Sequence, residues 1–255
     1  MEELRYIPVI EADGPTQMAT DEALLRSFDE GGSPPTLRFF RFKPSAITVG
    51  YAQDIPDVID VDRCDEKGIP FVRRITGGGT VYHDYYGEIT YSIVTDRPSG
   101  SIEDSFHHLL TPIIDTLIDY ELDAVFKPYN DILVGGRKIS GSAQRRGRKG
   151  MLQHGTLMYA TDLKTLSEIL ILDEKKLRAK GAKNFLDLVT TMEDELGYRP
   201  EVDELIEDMK GEYQRYFDVK NIESGLTEKE EELVEFYKER YRSYSWNYNR
   251  DWDEL

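Results

Sequence analysis

The sequence is poor in cysteine, histidine and net positive charge, and each shortage excludes a class of protein. Its 255 residues include one cysteine, Cys64, so no disulfide can form within the chain and a reducing, cytoplasmic location is expected. Acidic residues outnumber lysine and arginine by 49 to 32, and the net charge of −17 argues against nucleic acid and anionic membranes as partners. The four histidines show no zinc-site spacing with the cysteine.

Long apolar runs are missing as well. No run approaches the ~20 residues of a membrane span, and the first residues, Met1-Glu2-Glu3, are not those of a signal peptide. The content of 39% hydrophobic and 32% charged residues is typical of a globular protein on the charged side. We therefore expect no membrane contact and a chain with ample core.

Strand-like segments dominate the middle of the chain and helix-like segments flank them. Apolar patterning predicts strands at residues 4–10, 36–42, 46–51, 87–94 and 151–159, with 87–94 paired to a glycine-rich segment. Helical spacing predicts helices at 61–67, 105–120, 163–170, 202–216 and 227–241, and one capped by Thr16. The pattern indicates an α+β fold with a mixed or largely antiparallel sheet flanked by helices. One domain would span residues 1–255, with a helical extension from about residue 200.

Residues 72–84 form the most unusual local pattern. Three consecutive glycines, Gly77 to Gly79, follow the pair Arg73-Arg74 and precede a strand-like Thr-Val-Tyr. Glycine lets the backbone turn sharply and brings its N–H groups close to an anion, and arginine adds fork-shaped donors suited to carboxylate or phosphate. The segment matches neither the P-loop nor the dinucleotide fingerprint. On these residues alone, an anion site and a solvated glycine-rich hairpin are equally good interpretations.

A second unusual segment surrounds Lys138. Two short apolar runs flank Gly135-Gly136, which predicts a tight hairpin. Lys138 follows the turn, and the small residues 140–143 leave room beside it for a ligand. A lysine ammonium acts as a point charge on a phosphate or carboxylate. The alternative is a hairpin lysine that only solubilises a sheet edge.

Together, five blocks in this order resemble the lipoate–protein ligase family of the biotin/lipoate ligase superfamily. The blocks are Met18-Ala19-x-Asp21-Glu22-Ala23, Arg73-Arg74-x-x-Gly77-Gly78-Gly79-x-Val81-x-His83-Asp84, Asn130-Asp131-Ile132, Lys138-Ile139-Ser140-Gly141-Ser142-Ala143 and Gln153-His154-Gly155-Thr156-Leu157. Lys180-Gly181 and Val189-Thr190 resemble the family's late segment. The resemblance extends over most of residues 5–195.

The resemblance implies an ATP-dependent ligase that activates lipoate as lipoyl-AMP and transfers it to a lysine of a lipoyl acceptor domain. Such acceptors are the E2 subunits of 2-oxoacid dehydrogenases and the glycine-cleavage H protein, and the implied cofactors are ATP and Mg²⁺. Lys138 would be the catalytic residue, because its ammonium can bridge the carboxylate and the α-phosphate, two anions that repel each other. ATP or lipoyl-AMP would also contact Arg74, Gly79, Thr80, Val81, Tyr82, Asn130 and Asp131. Lipoate would contact Gly77, Gly78, Lys138, His154 and Gly155, and Asp131 would help to hold Mg²⁺.

The other basic and imidazole groups receive less specific predictions. We expect His83 to be a core histidine bonded to the backbone, and His107 and His108 to be structural. The basic run 145–149 is expected to meet either the acidic surface of the acceptor or the adenylate phosphate, although a solvated loop is the commoner outcome. The run also resembles the Gly- and Arg-rich loop of biotin ligases, which we rank third among the enzyme interpretations.

Two alternatives remain open. An octanoyltransferase of the same superfamily carries its acyl group as a thioester and needs an activated cysteine, whereas the carboxylates around Cys64 would raise its pKa. The other alternative is a non-catalytic subunit that binds lipoate and ATP. Many relatives have a further C-terminal domain of about a hundred residues, for which this chain is too short, so we expect a separate accessory subunit to supply it.

Overall fold

The computed structural model describes residues 3–171 and 182–252. Its strands are β1 (Glu3–Ala12), β2 (Thr36–Phe42), β3 (Ala46–Val49), β4 (Phe71–Arg73), β5 (Val81–His83), β6 (Glu88–Asp96), β7 (Ala124–Lys127), β8 (Asp131–Val134), β9 (Arg137–Arg146), β10 (Gly150–Met158) and β11 (Lys220–Glu223). Its helices are α1 (Gly14–Glu30), α2 (Ile55–Val58), α3 (Val61–Lys67), α4 (Ile102–Asp119), α5 (Leu163–Ile169), α6 (Met192–Leu196), α7 (Val202–Phe217) and α8 (Glu228–Arg242), with a 3-10 helix at Phe185–Leu188 and a π-helical turn at Ser245–Asn249. The predicted Lys180-Gly181 block lies outside the described residues.

Eight strands form one mixed sheet in the order β11-β1-β2-β6-β10-β9-β8-β7, and a smaller sheet has the order β4-β3-β5. Strand β1 runs parallel to both of its neighbours, and the pairs from β2 onward to β7 are antiparallel. Helices α4 and α7 pack on one face of the large sheet, and α1 and α8 pack on the other. The predicted α+β class with a largely antiparallel sheet is confirmed.

Strand β6 does not pair with the glycine-rich segment, so that prediction is wrong. It lies between β2 and β10, with Tyr91 opposite Phe39 on one side and Gly155 on the other, while β5 pairs with β3. The reason is burial: every residue of β6 except the last is buried, which suits a central strand. Its alternating pattern separates two buried faces, an apolar face towards α4 and a polar face towards α1.

The helix ends follow capping chemistry. Asp13 rather than Thr16 is the N-cap of α1, because its carboxylate accepts a hydrogen bond from the Thr16 N–H at 2.9 Å, and Pro15 occupies the first turn, where its missing N–H is tolerated. At α8 the predicted capping box of Thr227 with Glu230 is present. None of the described helices combines the length and apolarity that crossing a membrane requires.

The two C-terminal helices pack against the core, α7 on one face of the large sheet and α8 on the other. The predicted apolar stripe of α4 is buried, with Leu109, Leu110, Ile113 and Leu117 packed against the sheet and α7. Burial of each such side chain stabilises the fold by about 1.5–3 kcal/mol. Helix α8 packs on α1 across the opposite face, which places the C-terminal segment behind the small sheet.

Candidate active site

A cavity of ≈ 760 Å³ lies between the segment that joins β4 to β5 and the β8–β9 hairpin. We call residues 74–80 the glycine turn and residues 131–146 the lysine hairpin. The residues predicted to bind ligand meet here, because the cavity is lined by Arg74, Gly78, Gly79, Thr80, Val81, Tyr82, Asn130, Asp131, Lys138, His154 and Gly155. Gly77 is the one predicted ligand residue that does not line it.

The glycine turn is shaped by close backbone contact. Gly78 has a φ of +94°, in the left-handed region that favours glycine. Its carbonyl oxygen faces Gly50 so closely that a Cβ atom at position 50 would lie 2.1 Å away. Gly50 is therefore as necessary to this turn as Gly78, and nothing in the local sequence pattern indicated it.

The two arginines point into the protein, towards main-chain carbonyls. Arg74 donates to the carbonyls of Gly77 and Gly79 at 2.8 and 2.7 Å and so holds the glycine turn closed. Arg73 binds carbonyls on the far side of the turn and does not line the cavity. Among the described residues no carboxylate pairs with Arg74, and burial lowers its pKa to about 10. It stays protonated near neutral pH, which leaves one wall of the cavity with an uncompensated positive charge.

Lys138 reaches the cavity from the opposite wall. Gly135 and Gly136 adopt φ values of +57° and +78° in the predicted hairpin turn. The Lys138 ammonium lies 2.7 Å from the Asp131 carboxylate, and 37% of the Lys138 side chain is exposed. The side chain crosses Gly141, where a Cβ atom would be 2.4 Å from Nζ. The hairpin thus presents a half-exposed cation to the ligand space.

Asn130 and Asp131 have different tasks. The Asn130 amide donates to the Ser142 carbonyl at 2.5 Å and ties the entry of the hairpin to β9. Asp131 orients Lys138. Within residues 3–171 and 182–252 no group of three or more His, Cys, Asp or Glu side chains is arranged to hold a metal. A Mg²⁺ ion that keeps its waters and binds phosphate needs only one or two carboxylates, and Asp131 fits that limited requirement.

His154 belongs to a buried polar chain that supports the glycine turn. Its Nδ1 lies 2.7 Å from Asp21, and its Nε2 lies 2.8 Å from the Thr76 hydroxyl. The ionised Asp21 carboxylate can only accept, so Nδ1 of the neutral ring carries the proton and donates to it, and Nε2 accepts from the Thr76 hydroxyl, which also accepts from Arg74. Burial lowers the pKa of His154, in accord with a neutral ring.

Asp21 and Arg38 complete this chain at the base of the cavity. Arg38 donates to Asp21 at 2.7 Å, and both side chains are 1% exposed. Burial opposes ionisation of Asp21, but Arg38 and His154 outweigh it and lower the pKa of Asp21 to about 2. The alternating pattern of β2 gave no sign that Arg38 points inward, so sequence reasoning missed this residue.

Gly155 is required by a cluster of buried hydroxyls. The Tyr91 hydroxyl lies 2.9 Å from that of Ser140 and 2.8 Å from that of Ser142. A Cβ atom at position 155 would come within 2.3 Å of the Tyr91 oxygen. Burial raises the pKa of Tyr91 to about 12, so this cluster stays uncharged and polar beside the cavity.

The remaining histidines make contacts within the fold. His83 is buried, as expected, but its partners are side chains and not the backbone: its Nδ1 lies 2.8 Å from Glu88 and its Nε2 lies 3.0 Å from the Thr48 hydroxyl. It also lines the cavity. On α4, His107 stacks on Phe126 with ring centroids 4.7 Å apart. Burial lowers the pKa of His108, whose Nδ1 lies 3.0 Å from the Tyr216 hydroxyl.

The basic run lies at the opposite end of β9 from Lys138. Arg145 lies seven positions after Lys138, which corresponds to roughly 23 Å along a strand, and no residue of the run lines the cavity. Asp29 accepts hydrogen bonds from the backbone N–H groups of Arg148 and Lys149 at 2.6 and 2.7 Å. The cavity therefore gives no support to the expectation that the run reaches the adenylate phosphate.

Cys64 is buried on α3 and packs in a cluster with Ile47 and Tyr82. Burial, reinforced by Asp60 and Asp65, raises the pKa of its thiol to about 11. The thiol does not line the cavity. The neighbouring carboxylates disfavour the thiolate, as the sequence predicted, and desolvation by burial disfavours it more strongly.

Other cavity residues were not predicted as ligand contacts. They are Met18, Thr48 and Thr90, and an apolar end formed by Leu166, Leu170, Phe185, Leu188 and Val189. The apolar end adjoins Tyr82, which packs in the same cluster as Leu166 and Phe185. The cavity thus combines an apolar part with a polar and charged part that includes Arg74, Lys138 and His154.

Known proteins share this fold. A family model described as the lipoyl protein ligase A/B catalytic domain matches residues 13–214. The chain belongs to this family of enzymes, within the biotin/lipoate ligase superfamily.

Its relatives include two kinds of enzyme. The octanoyltransferase LipM of Clostridioides difficile is 29% identical over 98% of this chain and 100% of its own length. The lipoate-protein ligase A subunit 1 of Thermoplasma acidophilum is 33% identical over 94% of each chain.

Solved structures agree with the family assignment. The bi-partite lipoate protein ligase of T. acidophilum, studied with its E2 lipoyl domain, has a TM-score of 0.87 at 30% identity and covers 100% of both chains. A lipoate-protein ligase A bound with ATP has a TM-score of 0.83 at 28% identity and covers 97% of this chain and 98% of its own.

Proposed function

We propose that this protein is the catalytic subunit of an ATP-dependent lipoate–protein ligase, with residues 1–255 forming one catalytic domain. In the first step the lipoate carboxylate attacks the α-phosphorus of ATP, pyrophosphate leaves and lipoyl-AMP forms. In the second step the amine of an acceptor lysine attacks the acyl carbon, an amide forms and AMP leaves. Similar structures are described as bound with ATP and with lipoic acid, which supports these substrates.

The observation that carries the proposal is a pair of positive charges on opposite walls of one cavity. Lys138 offers a half-exposed ammonium held by Asp131. Arg74 offers a buried guanidinium that no carboxylate neutralises among the described residues. A carboxylate and a phosphate repel each other, and a preorganised donor between them is worth ~3–4 kcal/mol in the transition state. Lys138 would contact the carboxylate and the phosphate directly. Arg74 holds the glycine turn in shape and adds positive electrostatic potential to the cavity.

The two parts of the cavity suggest where each reactant binds. We place the acyl chain along Gly78, His154 and Gly155, which line the cavity, whereas Gly77 does not. Gly79, Thr80, Val81 and Tyr82 would contact adenine, because Tyr82 adjoins the apolar end around Leu166 and Phe185. The reacting carboxylate and α-phosphate then meet beside Lys138, Asn130 and Asp131. Mg²⁺, held by Asp131 and phosphate, would supply further neutralisation of the phosphate charge.

The test is the activation step measured without acceptor. Lys138→Ala should lower lipoate-dependent ATP–pyrophosphate exchange by roughly 10²–10³-fold, and Lys138→Arg should restore part of it because the charge remains. Lys149→Ala is the control, since Lys149 lies beyond the far end of β9. A Lys138→Ala variant that exchanges pyrophosphate at the wild-type rate would remove Lys138 from the mechanism and leave the proposal without its main support.

An octanoyltransferase is the second candidate, because several of the similar proteins carry that name. Acyl transfer through a thioester requires a reactive thiolate. The only cysteine of the chain is Cys64, and burial raises its pKa to about 11 away from the cavity. This chemistry favours the ligase.

We also propose two protein partners in the cytoplasm. One is a lipoyl acceptor domain, because the similar T. acidophilum ligase was studied with an E2 lipoyl domain. The other is an accessory subunit, because that ligase is bi-partite. The purified chain alone should form lipoyl-AMP slowly. Activation and acceptor loading at full speed without a second protein would contradict this part of the proposal.

The basic run 145–149 is proposed to contact an acidic surface of the acceptor. Asp29 fixes the backbone of this turn, and Arg145 and Arg146 are exposed. Changing Arg145, Arg146, Arg148 and Lys149 to glutamate should raise the acceptor KM and leave the ATP KM unchanged. An unchanged acceptor KM would contradict the contact.

A further inference from the structure

The free edge of β4 is covered by side chains of the C-terminal segment. Strand β4 is an outer strand of the small sheet, so the main-chain groups of Arg73 on its open side have no strand partner. Asn247 Oδ1 accepts from the Arg73 N–H at 2.7 Å, and the Trp246 indole N–H donates to the Arg73 carbonyl at 2.8 Å. An amide and an indole therefore take the place of a neighbouring strand at the residue where the glycine turn begins.

The same contact fixes the Arg73 side chain. Its Nε donates to the Asn247 carbonyl at 2.8 Å. Its Nη1 donates to the carbonyls of Gly50 and Gln53 at 3.0 and 2.6 Å. Arg73 thereby joins the C-terminal segment to residues 50–53.

Residues 50–53 in turn support the glycine turn. Gly50 lies against the Gly78 carbonyl. The Tyr51 N–H donates to the Thr76 carbonyl at 2.9 Å, and the Gln53 side chain accepts from the Thr80 hydroxyl at 3.1 Å. The turn is thus supported at three points by a segment whose position Arg73 determines.

The C-terminal segment is itself anchored to the core. The Asn247 amide donates to the Tyr241 carbonyl at 2.8 Å, and the Tyr241 hydroxyl donates to Glu22 of α1 at the same distance. Arg240 pairs with Glu22 and lies over the Trp246 ring, 4.4 Å from its centroid. Trp246 is only 5% exposed. The segment is therefore held independently of the glycine turn.

We propose that Trp246 and Asn247, which we call the C-terminal clamp, are positioning residues for the glycine turn and hence for activation of the carboxylate. The inference deepens the proposed function and rests on it. Neither clamp residue lines the cavity, so the clamp acts through Arg73 and residues 50–53. Its loss should loosen residues 74–82 before it unfolds the protein.

The experiment compares two tryptophan-to-phenylalanine variants. Trp246→Phe removes the hydrogen bond to Arg73 and keeps most of the packing. Trp252→Phe is the matched control, because the Trp252 indole nitrogen is buried and has no hydrogen-bond partner in the part of the chain that the structure describes. Amide hydrogen exchange of residues 74–82 should rise about two- to tenfold in Trp246→Phe, the effect of one lost hydrogen bond, and should not change in Trp252→Phe.

A second pair keeps the test decisive if Trp246→Phe does not fold. Asn247→Ala should increase exchange in the same residues. Asn221→Ala should not, since Asn221 lies on β11 and donates to the carbonyl of Lys210 on α7, and neither residue lines the cavity. If amide exchange of residues 74–82 rises equally in a variant and its control, or rises in neither, the proposed role of the clamp is refuted.

Activity separates this inference from the proposed function. In an active enzyme, Trp246→Phe should raise the KM for ATP by about two- to tenfold while Trp252→Phe leaves it unchanged. A wild-type protein that forms no lipoyl-AMP, even with its accessory subunit, would refute the ligase proposal, and the exchange comparison would still decide whether the clamp exists. Wild-type activity combined with equal exchange in both variants would refute the clamp alone.

Discussion

The glycine turn and the lysine hairpin face each other across one cavity, but they are built in opposite ways. Residues 74–76 of the turn are buried and its glycines are exposed, and its shape depends on Gly50 and Asn247, which are distant in sequence and both contact the adjacent Arg73. The hairpin depends on its own Gly135-Gly136 turn and presents a Lys138 side chain that is 37% exposed. A rigid wall and a movable cation suit a reaction in which bound anions are fixed while charge shifts between them.

The strongest way to break the rigid wall is Gly50→Ala. The new Cβ would lie 2.1 Å from the Gly78 carbonyl oxygen, and neither backbone can yield easily. We expect lipoyl-AMP formation to fall roughly 100-fold, the effect of a misplacement of about 1 Å, together with a lower melting temperature. Gly77→Ala is the control, because a Cβ there meets nothing within 4 Å. Equal activity in the two variants would show that the turn is not rigid.

In the lysine hairpin, substitutions should separate the effect on activity from the effect on stability. Gly141→Ala places a Cβ 2.4 Å from Lys138 Nζ, and the long side chain can move aside without unfolding the hairpin. We expect at least about a tenfold loss of pyrophosphate exchange with an almost unchanged melting temperature. Gly136→Ala should show the reverse, because strain at its φ of +78° costs roughly 1–2 kcal/mol and leaves Lys138 free. Parallel losses of stability in both variants would contradict the contrast.

Acid should weaken the wall that contains the glycine turn. Burial lowers the pKa of His154, so just below pH 6.5 the unfolded chain binds more protons than the folded one and stability falls as pH decreases. The limit for one histidine is about 1.4 kcal/mol per pH unit. Asp21, with its pKa lowered to about 2, loses its contribution only at much lower pH.

Denaturant unfolding of His154→Gln between pH 7 and 5 measures this effect. The free energy of unfolding should depend less on pH than in wild type. His108→Gln is the comparison, because burial lowers the pKa of His108 too. Its contribution to the pH dependence of stability has the same sign, and His108 does not line the cavity. Identical slopes in wild type and His154→Gln would show that folding does not lower the pKa of His154.

Cys64→Ser should have the smallest effect on activity, because Cys64 belongs to neither wall. The serine hydroxyl would be buried, which costs about 1–3 kcal/mol if it stays unpaired, so the melting temperature should fall while acyl transfer continues. An assay with ATP, lipoate and acceptor checks this. Loss of transfer in a folded Cys64→Ser variant would revive the octanoyltransferase.

The elements could be located from the sequence because their signals are local. Hydrogen bonds three residues apart define the capping box of Thr227 with Glu230, and two glycines define the turn before Lys138. The same local reasoning failed for β6, whose polar residues face a buried network instead of solvent. Periodicity reports that two faces differ and cannot report what covers each face.

The sequence by itself determined the order of the blocks, the place of the lysine hairpin and the presence of a bend at the glycine triplet. Only the tertiary structure decided that Arg73 and Arg74 bind carbonyls, that Asp21 meets His154 across 133 positions, and that Trp246 meets Arg73 across 173. The reason is physical: turns and caps arise between neighbours in the chain, whereas the partner of a buried charge is whichever polar group the packed layers bring beside it.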